Sequence, residues 1–324
     1  MATADEIAAL KASGLTWNEI ATQTGGTYNS VRNKWRRAQG NVIVDDVSEV
    51  QLLRRENALL KAMLEEREED GLFGHTIGTP FVIDGDTMIA GDIHCNTVNR
   101  GFMRRPLDIG VQYLDRPRRF VVAGDLLNAD AFSGYEPTYP SPSFAKEIAA
   151  ARAFFELYLT VFDEIYVFPG NHDLRPTRKS HAAIDFHMVM KIISHEPRIK
   201  VSHIGHMLVN TPQGTYRVTH GSEYSVNQLV VAEGLAHKHR QHIISHHEHH
   251  ASVGMDRYKN WILVNGGGLF DSDSLAYTKI EDNKKPNMAN GFTMLKNGYP
   301  YLFTDKMTDW NFWLKGAKQK AEAA

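Results

Sequence analysis

Five short stretches of this 324-residue chain end in side chains that hold hard or borderline divalent metals. They are Gly91-Asp92-Ile93-His94, Gly124-Asp125-Leu126-Leu127-Asn128, Gly170-Asn171-His172-Asp173, His220-Gly221, and His247-Glu248-His249 within the run SHHEHH. Singly, each has a bland explanation, since an Asp at a strand end is commonly a turn or cap residue and an isolated His is commonly structural. Five in order, each closing an apolar run, point instead to one metal centre. Asp92 and His94 stand two residues apart, which places them on the same side of an extended segment. Histidine is the compositional outlier at 16 residues, many of them between His220 and His250. Bound divalent cations act as Lewis acids and lower the pKa of bound water.

The elements that must carry these residues follow from the apolar pattern. TMIAGD, RFVVAGD, EIYVFPGN, TYRVTHG, HIISHH and WILVNGG read as strands, each ending where a polar loop begins. Helices are expected between them. Phe144 to Phe162 follows a Ser141-Pro142 start signal and sets Ile148, Phe155, Leu159 and Phe162 along one face; Ser225 to His239 is a second helix. Alternating strands and helices imply an α/β architecture with its functional loops at strand ends.

On these motifs the chain resembles the calcineurin-like metallophosphoesterase superfamily, whose pattern runs D-x-H, G-D-x-x-[DN], G-N-H-[DE], H and G-H-x-H. The resemblance runs from Asp92 to His249 and extends to Asn265-Gly266-Gly267, similar to the family's Asn-Pro-Gly turn. It implies an α/β fold, a metallophosphoesterase-type β-sandwich flanked by helices. It also implies two divalent metal ions. Asp92, His94 and His249 would hold the first, Asn171, His220 and His247 the second, and Asp125 would bridge both. Ions about 3.5–4 Å apart would clamp a phosphate and activate a bridging water for attack on phosphorus. His172 would contact the phosphate and protonate the leaving oxygen, with Asp173 orienting its ring. Manganese is the first expectation, while iron, zinc or nickel suit the same N/O ligands.

Two departures from the family pattern matter. His246 replaces the glycine before the last H-x-H, and the run His246 to His250 allows a second register through Glu248 and His250. The second motif also lacks the Asp-Arg-Gly continuation of the Ser/Thr protein phosphatases, and the third ends in Asp173 rather than Glu, which argues against a protein phosphatase. Cys95 is expected to be a small buried side chain rather than a ligand. Arg175 and Arg178, just past the third motif, would contact substrate phosphate or simply be solvated.

Four segments divide the chain: 1–40, 41–75, 76–305 and a C-terminal tail, 306–324, amphipathic around Trp310, Phe312 and Trp313. In the first, GLTWNEIATQTGGTYNSVRNKWRR resembles a helix-turn-helix and predicts a small all-α domain. TYNSVRNKWRR would be the recognition helix, with Arg32, Lys34, Arg36 and Arg37 on phosphates and Tyr28, Asn29 and Ser30 near base edges. The plainer alternative is a helical hairpin that binds protein. In the second, Val50, Leu53, Asn57, Leu60 and Leu64 follow the spacing of a short coiled coil, and Asn57 at a core position suits a parallel homodimer through residues 47–69; a single linker helix is the competing expectation.

Composition narrows the function classes. With 36 Lys plus Arg against 38 Asp plus Glu, the chain has no polycationic character, so any nucleic-acid footprint is local. No run is long and apolar enough for a membrane span, and MATADEIAALKASG lacks the layout of a signal peptide; with a single cysteine this leads to the expectation of a cytoplasmic protein without a membrane partner. The sequence therefore predicts a two-metal phosphodiesterase or nuclease delivered to DNA by its N-terminal segment. The rival expectations are a small-molecule phosphomonoesterase or cyclic-nucleotide phosphodiesterase whose N-terminal segment serves assembly, and a catalytically inactive DNA-binding protein.

Overall fold

Short runs that are apolar on alternate sides form strands when both faces have something to pack against. The computed structural model describes residues 2–38, 78–134, 142–271, 288–307 and 309–314, which fall into two compact units, Met1–Thr76 and Ile77–Ala324. The expected coiled-coil seam at 47–69, and the linker to which it belongs, lie outside the described residues.

The first unit has three helices, α1 (Ala4–Ala12), α2 (Trp17–Thr24) and α3 (Tyr28–Ala38). Thr3 with Glu6 and Thr16 with Glu19 form reciprocal capping boxes that fix where α1 and α2 begin. Gly25 closes α2 in the left-handed conformation, which a glycine adopts without steric cost. Ile7, Ile20, Ala21 and Val31 form a small core on which Leu10, Leu15, Trp17 and Trp35 pack. The all-α unit expected from the sequence is present.

The second unit is an α/β sandwich of two six-stranded sheets. Its strands are β1 (Val82–Asp84), β2 (Thr87–Ala90), β3 (Arg119–Ala123), β4 (Glu164–Phe168), β5 (Ile199–Val201), β6 (His206–Thr211), β7 (Gly214–Thr219), β8 (His242–Ser245), β9 (Ala251–Met255), β10 (Ile262–Gly266), β11 (Gly291–Lys296) and β12 (Tyr299–Thr304). One sheet runs β12-β11-β2-β3-β4-β5, the other β1-β6-β7-β8-β10-β9. All six strands read from the sequence are among them, and β2 to β5 are mutually parallel, as are β7, β8 and β10.

Side-chain alternation explains the layering. Along β3, Val121 and Ala123 enter the core between the sheets, while Phe120 and Val122 enter the core beneath the helices; β4 does the same with Phe168 against Ile165 and Val167. Helices α4 (Arg105–Tyr113), α5 (Phe144–Tyr158) and, after a short α6 (Arg175–Lys179), α7 (Phe186–Ile193) follow the first sheet's strands, and α8 (Val230–His239) covers the second through Ala232 and Ala236 on Ile243 and Leu263.

One expected boundary shifts. The helix expected from Ser225 begins at Val230, because residues 225–229 form a loop: the Ser225 amide donates to Glu248 Oε1 and its carbonyl faces His250 Nε2. In the amphipathic C-terminal tail, Trp310 and Trp313 pack on the sandwich, with Trp310 stacked 6.0 Å from Phe303 and the Trp313 carbonyl accepting from Tyr113 Oη at 2.8 Å. Among the described residues no helix is long and apolar enough to cross a membrane.

Candidate metal centre

Parallel strands deliver their C-terminal ends to one side of a sheet, and here the ends of β2, β3 and β4 meet those of β7, β8 and β10 across the sandwich. Two groups of ligand atoms result: Asp92, His94 and His249 in one, Asp125, His220 and His247 in the other, the atoms of each group lying within 4.8 Å of one another. Asn171 joins the second group through its Oδ1, 3.1 Å from His220 Nε2. His220 Nε2 lies 3.1 Å from Asp125 Oδ2 and 3.9 Å from Asp92 Oδ1, so the groups are contiguous. The two groups use the His247 and His249 register of the histidine run. Glu248 and His250 turn away to the 225–229 loop, and Asn265 Nδ2 donates to Glu248 Oε2.

Asp92 and His94 come together by a different route from strand alternation. Both lie past the end of β2 in the left-handed region, as do Asp125, His247 and His249, with φ between 47° and 83°. Each such residue stores roughly 1–3 kcal/mol of strain, which a folded site tolerates where geometry is imposed from outside. The close fit also restricts neighbours. A β-carbon on Gly170 would collide with the Asp125 carboxylate, and one on Gly91 or Gly266 would collide with the His246 ring. His246 thus fills the space between the ends of β2 and β10; its Nδ1 is 3.0 Å from the Gly267 carbonyl and 3.6 Å from Asp92 Oδ2.

The electrostatics suit cation binding. His94 is buried and neither of its ring nitrogens has a hydrogen-bond partner among the described residues, an arrangement that is costly unless a ligated ion supplies the partner. Burial and the neighbouring His172 push its imidazole down to about 3, leaving it in the neutral form that binds metal. Burial and the facing His220 likewise push His247 down to about 4. Burial opposes the charged forms of Asp92 and Asp125, yet the surrounding imidazoles hold both well below the usual carboxylate range. The residues present therefore fit two divalent ions.

His172 stands beside this set without being part of it. Its amide donates to Asp125 Oδ1 at 2.8 Å and its Nε2 is 3.9 Å from Asp125 Oδ2. Its expected partner is corrected. Asp173 does not orient the ring; its carboxylate is buried and accepts the amides of Leu126, Leu127 and Gly170, tying the second motif to the third. Burial and the nearby Asp125 push the Asp173 carboxyl up to about 7. The ring's Nδ1 instead faces the main-chain carbonyl of Asn128 at 3.1 Å. Cys95 is buried, as expected, and burial holds its thiol well above the usual range.

Sequence reasoning missed Glu147. This α5 carboxylate is fully buried and accepts the Ala129 amide at 2.7 Å, holding the loop whose Asn128 carbonyl meets His172. Burial pushes its carboxyl from an ordinary 4.5 up to about 7. Because the folded protein favours the protonated acid, the stability it confers is fullest below about pH 4.5 and is lost as pH approaches 7. The stability of wild type relative to the Glu147→Gln protein should therefore fall over that range by roughly 3 kcal/mol, which denaturant unfolding of metal-free protein measures.

In the N-terminal unit the expected nucleic-acid residues divide. Tyr28, Asn29, Ser30 and Arg36 are exposed on α3, whereas Trp35 packs inward. Lys34 Nζ donates to the Ala2 carbonyl at 2.6 Å and Arg32 to Tyr28 Oη at 3.3 Å, so both make contacts within the unit; the Arg37 side chain lies outside the described residues.

The two-sheet α/β sandwich and the paired ligand groups are those that the resemblance of the five motifs implied. No protein-family model and no curated protein matches the sequence. Among solved structures the chain is similar to a conserved uncharacterized protein, described as a predicted phosphoesterase, from Streptococcus pneumoniae TIGR4, at 12% identity and a TM-score of 0.31, covering 68% of this chain and 97% of that one. It is also similar to Vacuolar Protein Sorting 29 from Cryptosporidium parvum, at 12% identity and a TM-score of 0.35 over 68% and 96% of the two chains. A single mutant of Vps29 from Entamoeba histolytica gives 11% identity and a TM-score of 0.33 over 68% and 97%.

Proposed function

We propose that this chain is a two-metal phosphoesterase that cleaves phosphodiester bonds in nucleic acid, preferentially DNA. The observation that carries the reading is the meeting of the two ligand groups at the strand ends, with His172 beside them and outside both. Divalent ions bound there would polarise a phosphoryl oxygen and lower the pKa of a water nucleophile. The chain's own residues do the rest. Asp125 holds the His172 amide and would be shared by the two ligand groups, Asn171 would add a neutral ligand that limits the total negative charge, and His172, held by the Asn128 carbonyl, would meet the leaving oxygen. The exposed start of α3 supports delivery to a nucleic acid, and residues 47–69 would pair two chains so that two such helices act together.

The test is hydrolysis by manganese-reconstituted protein of bis-p-nitrophenyl phosphate, p-nitrophenyl phosphate and labelled single- and double-stranded DNA, with and without residues 1–70. DNA cleavage should fall at least about tenfold on deletion while turnover of the small esters is unchanged, because the phosphate contacts of a helix-turn-helix supply binding rather than chemistry. Turnover of small esters alone, indifferent to the deletion, would favour a small-molecule phosphomonoesterase or cyclic-nucleotide phosphodiesterase. DNA binding with no hydrolysis under any metal would leave an inactive DNA-binding protein.

A further inference from the structure

Arg175 opens α6, three residues beyond His172, and its guanidinium is built into the same loop that holds the His172 ring. Nη1 donates to the Asn128 carbonyl at 2.8 Å and to Asp130 Oδ1 at 2.9 Å, and Nη2 lies 3.2 Å from His172 Nε2. A guanidinium only donates, so in the neutral ring His172 Nε2 is the acceptor and Nδ1–H points to the Asn128 carbonyl; a proton delivered to a leaving oxygen would be carried on Nε2 of the protonated ring, with Arg175 Nη2 turned from it to the phosphoryl group. The side chain is 21% exposed, not a freely solvated loop arginine. Nε and the second Nη2 hydrogen have no acceptor among the described residues. The base beneath is rigid: Ala129, in the left-handed region at φ 49°, is fixed by the buried Glu147 through its amide. The guanidinium is ion-paired with Asp130 on one side and lies against His172 on another, and its spare donors are available to a further oxygen acceptor such as a phosphoryl oxygen.

We propose that Arg175 is the residue that anchors the substrate's phosphoryl group, donating to a non-bridging oxygen while His172 faces the leaving oxygen. The assignment rests on the phosphoesterase reading for its substrate, but its chemistry is that of any phosphoryl oxygen. Asp130, the Asn128 carbonyl and Glu147 are positioning residues that act through Arg175. Replacing Arg175 leaves both ligand groups intact, so loss of phosphate affinity separates from loss of metal.

The experiment measures inorganic phosphate binding to the manganese-loaded full chain by calorimetry, alongside metal content, for wild type, Arg175→Ala and Arg175→Lys. Arg175→Ala should bind phosphate about ten- to a hundredfold more weakly with its manganese retained, the worth of a charge-assisted hydrogen bond, and Arg175→Lys should recover only part of that. Added guanidinium should restore part of the affinity to Arg175→Ala and none to wild type. Phosphate affinity within twofold of wild type in Arg175→Ala overturns the proposal. Loss of manganese from both variants overturns it as well, since Arg175 would then be a brace for the metal ligands. A wild type that binds phosphate through Arg175 but hydrolyses no ester would retain the anchor and remove the phosphoesterase reading instead.

Discussion

Asp125→Asn protein should lose ester hydrolysis on the order of 10³-fold and, with it, the metal content of the centre. Asp125 stands where the two ligand groups adjoin: its Oδ2 is 3.1 Å from His220 Nε2, and its Oδ1 accepts the His172 amide. Asparagine keeps the shape and can still accept that amide, so the loop stays in place. What disappears is the negative charge that would offset the repulsion between two dications bound there. Burial opposes a charged His220, yet the facing Asp125 and Asp92 carboxylates push its imidazole up to about 10; taking away Asp125 removes the largest of those attractions from a buried ring. Metal analysis after dialysis, paired with bis-p-nitrophenyl phosphate turnover, decides the matter. Full metal content with activity within tenfold of wild type would exclude Asp125 from the centre.

His172→Ala should separate chemistry from metal binding. The ring belongs to neither ligand group, being held by the Asn128 carbonyl and Arg175, so both metals should remain at wild-type content. The loss in kcat should be about 10²–10⁴-fold, the usual contribution of a positioned proton donor. The effect should shrink for esters whose leaving group departs readily without a proton: p-nitrophenyl esters should suffer less than DNA, whose leaving oxygen is a poor one. An equal loss on both substrates, or a loss accompanied by missing metal, would remove His172 from the role of acid and leave it a structural support for Asp125.

The Asp173 finding shows how far motif logic reaches. A carboxylate next to a catalytic imidazole in sequence suggests a His–Asp pair, but at a tight turn adjacent side chains diverge. Asp173 points inward to three amides and locks the second motif against the third, while the His172 ring turns outward to a main-chain carbonyl. A carbonyl partner leaves no trace in residue identity, because every residue carries one. Glu147 was hidden for a related reason. On an amphipathic helix a lone Glu reads as a solvated position, and only the approach of the 128–130 loop makes it a buried acceptor.

The ligand residues, their order, and their placement at the ends of β2, β3, β4, β7 and β8 were legible in the sequence because the signals are local: a short apolar run buried on both faces, then a carboxylate, amide or imidazole where the run stops. The short helices around Trp17 and Trp35 were legible for the same reason, through caps and spacing within a few residues. The remaining strands were not. β1 and β5 have three residues each, β6 mixes polar with apolar positions, and the β11–β12 hairpin joins the sheet only through β11 pairing with β2, far away in the chain. The resemblance implied which ligands share a group, and the tertiary structure shows how they meet: Asp92 lies against His249 across 157 residues and Asp125 against His220 from the opposite sheet. In the histidine run, the expected His247 and His249 enter the two groups with the backbone left-handed at both, a conformation imposed by packing rather than preferred by the residues themselves.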